Sequence, residues 1–217
     1  MEAGWDRAQW AELFVDIEGP DKPEPRYGTS VKMMWDQQYL YVGAVMDEPH
    51  LRASLTERDS VIYLDNDFEV FIDPDGNTRD YYEFEINILN TVFDLFLPKT
   101  YADGGTANHD WNCEGLKTAV QFQGTLNDPS DLDLGWSVEM AIPWAALAPN
   151  ANVQTPPLPG HVWRMNFSRV QWQFTIVEGE YRNLPDTPED NWVWSPQGVI
   201  DMHKPEKWGY VEFIRQW

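Results

Sequence analysis

One cysteine in 217 residues, Cys113, leaves no partner for an intramolecular disulfide and excludes any zinc or iron–sulfur centre built from several thiolates. Basic residues are also scarce: 15 Lys and Arg stand against 36 Asp and Glu, a formal net charge of −21. No Lys/Arg run offers a local exception, so a phosphate backbone would meet net repulsion and no nucleic-acid partner is expected. No stretch reaches the ~20 consecutive apolar residues of a membrane span. The opening residues Met1 to Trp5 lack the basic, greasy segment of a secretory leader. The expected location is still secreted, periplasmic or cell-surface, with any signal segment already removed. Also missing are the G-x-x-x-x-G-K and G-x-G-x-x-G phosphate turns, a G-x-S-x-G nucleophile elbow and an H-E-x-x-H metal helix.

Aromatic residues, in contrast, are abundant. Twelve Trp, nine Tyr and ten Phe make up 14% of the chain within a 42% hydrophobic composition, which is apolar area enough to exclude disorder. They fall in short alternating runs separated by turn residues, the pattern of an all-β antiparallel β-sandwich of jelly-roll or immunoglobulin-like type. Phe68, Val70 and Ile72 share one face of 67–73, and Pro74-Asp75-Gly76-Asn77 closes that run. Tyr82, Phe84, Ile86 and Ile88 would point inward from 81–90, with Glu83, Glu85 and Asn87 outward. Further runs at 30–35, 39–46, 92–97, 116–123, 135–142, 162–172 and 208–214 bring the expectation to about nine strands. Helix is expected only from Asp6 to Leu13 and for one turn after Pro143. The Gly/Asn/Asp-rich stretch 98–114 and the proline-rich stretch 149–160 read as long loops within a single domain, 1–217.

Three groups of residues could carry chemistry. Asp65, Asp67, Asp73, Asp75, Asn77 and Asp80 concentrate hard oxygen donors near strand ends, as Ca2+ requires, although turn-forming acids would look the same. The alternating strands would project Glu69, Glu83, Glu85, Asn87, Glu139, Arg164, Asn166 and Arg169 from a polar face suited to sugar hydroxyls, or simply to water. Among the rings, Trp136, Trp144 and Trp163 are expected in the core, and Tyr63, Trp111, Trp192 and Trp194 as exposed platforms for a pyranose. Paired carboxylates could also hydrolyse a glycosidic bond, but so acidic a chain holds many such pairs. Met202-His203 could offer a soft axial ligand to haem.

Four blocks together resemble the family 9 carbohydrate-binding modules and their wider DOMON-like relatives. These are Trp35-Asp36-x-x-Tyr39-Leu40-Tyr41-Val42, Asp65 to Asp73, Gly135 to Trp144, and Trp208-Gly209-Tyr210-Val211, spanning about residues 29–214. The resemblance implies a calcium-containing β-sandwich without catalysis that grips glucan or xylan chain ends between two rings. The family's first stacking ring falls on Tyr63 and a sugar-contacting Glu on Glu69. Glu85 replaces an Arg, Asn87 is kept, and the second stacking position falls on Met202, so that Trp192 or Trp194 would supply the missing ring. The DOMON-like relatives also include haem-carrying electron-transfer subunits with Met and Lys or His ligands, for which Met202, His203, Met33, Met34 and Met46 are the candidates. The resulting expectation is binding of a plant-type polysaccharide or its oligosaccharides through Tyr63, Glu69, Asn87, Arg164, Trp192, Trp194 and Met202, with structural Ca2+. A fused or associated glycoside hydrolase is the expected partner. An acid-based polysaccharide-active enzyme and a haem-binding subunit are the alternatives.

Overall fold

Alternation decides the layers. The computed structural model describes residues 3–214. In chain order the strands are β1 (Val15–Asp16), β2 (Thr29–Trp35), β3 (Tyr39–Asp47), β4 (Asp67–Asp73), β5 (Tyr81–Asn87), β6 (Val92–Leu97), β7 (Lys117–Gln123), β8 (Gly135–Pro143), β9 (Val162–Gln171), β10 (Phe174–Val177), β11 (Glu180–Asn183), β12 (Asp190–Val193) and β13 (Gly209–Glu212). One sheet runs β1-β12-β9-β4-β5-β6, with β13 paired to β9 beyond the end of β12; the other runs β2-β3-β8-β7. Every pairing is antiparallel, and two such sheets face to face make the expected sandwich.

The shared core follows from the period-2 pattern. Val70 faces Phe84 across β4–β5 and Phe167 across β4–β9, and these side chains meet Val31, Val42, Met46, Val138 and Met140 of the smaller sheet. Trp136, Trp144 and Trp163 lie in this core, as their positions implied. Trp111, expected as a platform, packs against Tyr82 and Phe84 at its margin.

The larger sheet has a second buried face. Every residue of β4 and β5 is buried, including Glu69, Glu83, Glu85 and Asn87 on the face expected to be open to sugar or water. The segments around 52–65, 98–111 and 195–208 fold back over this outer face and enclose a smaller apolar cluster of Ile62, Phe71, Tyr81, Leu95, Leu97 and Trp208. Gly105 permits one such return, because a Cβ there would sit 2.0 Å from the carbonyl oxygen of Lys99.

Two expectations about elements need correction. Residues 6–13 do not form a helix: a 3-10 turn covers Ala3–Arg7, and the chain then runs beside β2, with the Ala11 amide on the Val31 carbonyl at 2.8 Å. So short a segment gains more from sheet-like pairing than from nucleating a helix. Four short strands went unread, β1, β10, β11 and β12. Each has four residues or fewer, and the β10–β11 hairpin turns through Glu178 and Gly179, both at positive φ, rather than through the usual Asn-Gly. Among the described residues no helix is long and apolar enough to cross a membrane.

Replacing the fully buried Phe84 by Ala should lower stability by about 3–5 kcal/mol, whereas Phe122→Ala on exposed β7 should change it by less than about 1 kcal/mol. Urea unfolding of the two variants checks the assignment of layers.

Candidate ligand-binding site

Polar side chains on the outer face of the larger sheet divide into those that tie down loops and those that do not. Asp65 accepts hydrogen bonds from the Ser54 amide (2.9 Å), the Ser54 hydroxyl (3.1 Å), the Leu55 amide (2.9 Å) and Asn87 Nδ2 (3.0 Å). Asn87 also donates to the Leu55 carbonyl and accepts from the Leu89 and Thr91 amides. On β9, Asn166 exchanges hydrogen bonds with both backbone groups of Ser195. Arg164 donates to the carbonyls of Glu206 and Trp208 at 3.0 and 2.8 Å, with its guanidinium over the Tyr210 ring. Asn87 and Arg164, both expected at the sugar, are therefore loop clamps.

Between the clamps opens a cleft of about 470 Å3, within the range of small-ligand sites. Its floor is made by Glu69 and Phe71 of β4, Glu83 and Glu85 of β5, Phe93 and Leu95 of β6, and Val170 of β9. Met202 and His203 form one wall, and the rings of Tyr63 and Tyr101, 43% and 46% exposed, stand at the rim. Tyr63 is held by its backbone: its amide donates to Glu85 Oε2 at 2.9 Å and its carbonyl accepts from Trp172 Nε1 at 2.8 Å. Tyr101 packs edge-on against His203, with ring centroids 4.5 Å apart, and the His203 ring in turn meets the Tyr81 hydroxyl at 3.0 Å.

Of the expected sugar contacts, Tyr63, Glu69 and Met202 come together here. Trp192 does not, because β12 turns it to the inter-sheet side, where it is 3% exposed beside Tyr27 and under the Arg169 guanidinium. Trp194 packs on Phe167 and fills the space a side chain at Gly209 would need, 2.3 Å from a Cβ there. Arg169 has the opposite parity to Arg164 on β9, and it forms a buried ion pair with Glu48 at 3.1 Å on the inner face. Glu139 lies on β8, on the other sheet. Tyr101 and His109 were missed; the available signal was a ring-bearing residue inside the polar 98–114 loop, next in kind to Tyr63.

The six expected calcium donors do not converge. Asp65 and Asp73 use both carboxylate oxygens on hydrogen-bond donors, Asp73 on the Gly76 and Thr78 amides, and Asp80 meets Asn152. Asp75 bonds to Asn77 within the turn. Asp67 sits at the other end of β4 from this turn, roughly 20 Å away along an extended strand. Of the candidate ligands for the haem alternative, Met202 and His203 line the cleft together, whereas Met46 is in the core, Met33 packs against it, and Met34 lines a hollow on the outer face of the smaller sheet.

A family model described as "Carbohydrate family 9 binding domain-like" matches residues 1–212. The chain is 30% identical over 130 residues, 56% of its length, to the Endo-1,4-beta-xylanase A of Thermotoga maritima, and covers 10% of that protein. It is 31% identical over 122 residues to the Endo-1,4-beta-xylanase A of Thermoanaerobacterium saccharolyticum, covering 55% of this chain and 8% of that one. The chain thus spans about a tenth of the length of the curated relatives it matches. Among solved structures, a family 9 carbohydrate-binding module from Caldicellulosiruptor kristjanssonii in complex with cellotriose superposes with a TM-score of 0.61 at 14% identity, covering 100% of this chain and 87% of that one. A candidate carbohydrate-binding protein from Bacteroides uniformis gives 0.69 at 18% identity, covering 97% and 88%.

The floor of the cleft is electrostatically tense. Burial pushes Glu69 up to about 7, and burial together with neighbouring carboxylates holds Asp67, Glu83 and Glu85 well above the ordinary range. Burial lowers His203 to about 4, so it supplies no positive charge near neutrality. Among the described residues no Lys or Arg lines the cleft. Carboxyls with raised folded pKa stabilise fully below their unfolded values, and that contribution is lost as pH rises through the folded values; the depressed His203 works in the opposite direction. With four carboxyls against one imidazole, the melting temperature in chelator-treated buffer should fall as pH is raised from about 5 to about 8. Thermal unfolding across that range checks it, and Glu85→Gln should flatten the slope.

Proposed function

The chain belongs to the carbohydrate family 9 binding domain-like family, and from that premise we propose that it binds a carbohydrate, without reaction of its own, in the cleft on the outer face of the larger sheet. The observation that carries this reading is the pair of half-exposed tyrosines, Tyr63 and Tyr101, at the rim above a floor of buried carboxyls. An aromatic ring fixed by its own backbone offers a flat apolar surface to the C–H face of a pyranose at little entropic cost. Glu69, Glu83 and Glu85 then address its hydroxyls, accepting when ionised and donating when protonated. Tyr101 takes the part of the second ring that Trp192 and Trp194 cannot play.

The ligand class is a β-linked plant-type glucan or xylan, or its oligosaccharides. Two observations support it: the curated relatives are xylanases, and a structural neighbour was solved with cellotriose. Since the matched stretch is a small part of those enzymes, a glycoside hydrolase on the same or an associated chain is the natural partner, working outside the cytoplasm where polysaccharide is found. Affinity should be micromolar to millimolar, on the order of −4 to −8 kcal/mol, as suits an open cleft.

Tyr63→Ala and Tyr101→Ala should each weaken retention in a cello-oligosaccharide or xylan affinity gel about tenfold, roughly 1.4 kcal/mol, with little change in melting temperature because both rings are half exposed. The parent should release no reducing ends from the same polysaccharides. Retention unchanged in both variants would remove the rings from the site, and reducing ends that disappear in Glu69→Gln would replace a binder with a hydrolase.

A further inference from the structure

Three side chains form a row across adjacent strands at the floor of the cleft. Glu85 pairs in register with Glu69, and Glu69 pairs with Ser168, so all three project from the same face of β5, β4 and β9. Asp67, two residues along β4, shares that face. Oxygens of Asp67, Glu69 and Glu85 all lie within 4.8 Å of one another, close to twice the ~2.3–2.6 Å of a Ca2+–oxygen bond.

A cluster of acids alone would say little, but two buried atoms in this row lack a partner. Asp67 Oδ1 accepts the Val170 amide at 3.2 Å, and its Oδ2 has no hydrogen bond. Ser168 Oγ, on a residue with no solvent exposure, makes no well-formed hydrogen bond although it lies beside Glu69. Leaving such groups unsatisfied is unfavourable, more so for charged ones. Glu85 takes backbone amides from the Ile62–Tyr63 turn, with the Tyr63 amide on Oε2 at 2.9 Å, and still presents a carboxylate oxygen to the cluster. The surrounding lining adds further carboxyl groups, those of Glu83, Glu189 and Asp201.

We propose that Asp67, Glu69 and Glu85, with the Ser168 hydroxyl beside them, bind one hard divalent cation at the floor of the cleft. An all-oxygen, carboxylate-rich and sterically forgiving donor set suits Ca2+ better than the strict octahedron of Mg2+. The site is distinct from the Asp73–Asp80 turn, whose acids are committed to the turn itself. It stands independently of the sugar reading: the cation answers the buried charge whether or not a pyranose enters above it. If one does, its hydroxyls meet the open side of the ion.

The test is calorimetric titration of CaCl2 into chelator-stripped protein near neutral pH, alongside Tb3+ luminescence excited through the aromatic rings. One ion per chain should bind, the melting temperature should rise with Ca2+, and affinity should fall at least tenfold in Asp67→Asn and Glu85→Gln while Asp75→Asn in the turn leaves it intact. Both cleft variants remove a buried charge, so in chelator they should melt no lower than the parent while losing the Ca2+-dependent rise. Three results overturn the site: a parent whose melting temperature ignores Ca2+, which would mean that protons alone neutralise the cluster; binding that survives both cleft variants; or binding lost only in Asp75→Asn.

Discussion

A sheet buried on both faces must provide partners for every polar side chain it carries, and this constraint shapes the protein. The inner face of the larger sheet solves it by being apolar, with Phe68, Val70, Ile72, Tyr82, Phe84 and Ile86 packed on the smaller sheet. The outer face carries Asp67, Glu69, Asp73, Glu83, Glu85, Asn87, Arg164, Asn166 and Ser168, and loops return to meet most of them. Asn87, Arg164, Asn166 and Asp73 hold backbone groups of those loops, and the loops thereby become fixed walls. The remaining carboxyls, among them Glu85 with the Tyr63 amide on one oxygen, make the floor of the cleft.

The arrangement couples the floor to the rim. Glu85 faces Glu69 across the strand pair and also receives the Tyr63 amide, so a buried carboxyl of the floor also positions the exposed ring. A site of this kind is preorganised at the expense of stability, since like charges in a low-dielectric setting repel and each desolvated carboxyl favours its neutral form. A cation or a hydroxyl-bearing ligand relieves the same tension from above.

Layering was legible in the chain because period-2 alternation reports which side chains share a face, and it identified Phe68, Val70, Ile72, Tyr82, Phe84 and Ile86 correctly. Alternation cannot say what covers a face. Glu83, Glu85 and Asn87 look solvent-facing in sequence and are buried by segments distant from them, around 52–65 and 195–208. The same limit explains the rings: Trp192 sits next to polar residues yet turns inward, because the short strand β12 fixes its parity, whereas Tyr101, in a loop with no periodicity, reaches the rim. The oxygen donors at 73–80 were expected at a calcium site and bond within their own turn, whereas the donors that converge come from facing strands, and only register brings Glu69 opposite Glu85.

The place where a sugar lands decides whether the cleft is the binding site. In isotope-labelled protein, titration with a cello-oligosaccharide should move the backbone signals of Tyr63, Glu85, Tyr101 and the 200–203 wall while leaving β7 and the outer face of β8 unchanged. Shifts centred instead on Phe122 and the hollow beside Trp10 on the smaller sheet, or no shifts at all, would contradict it.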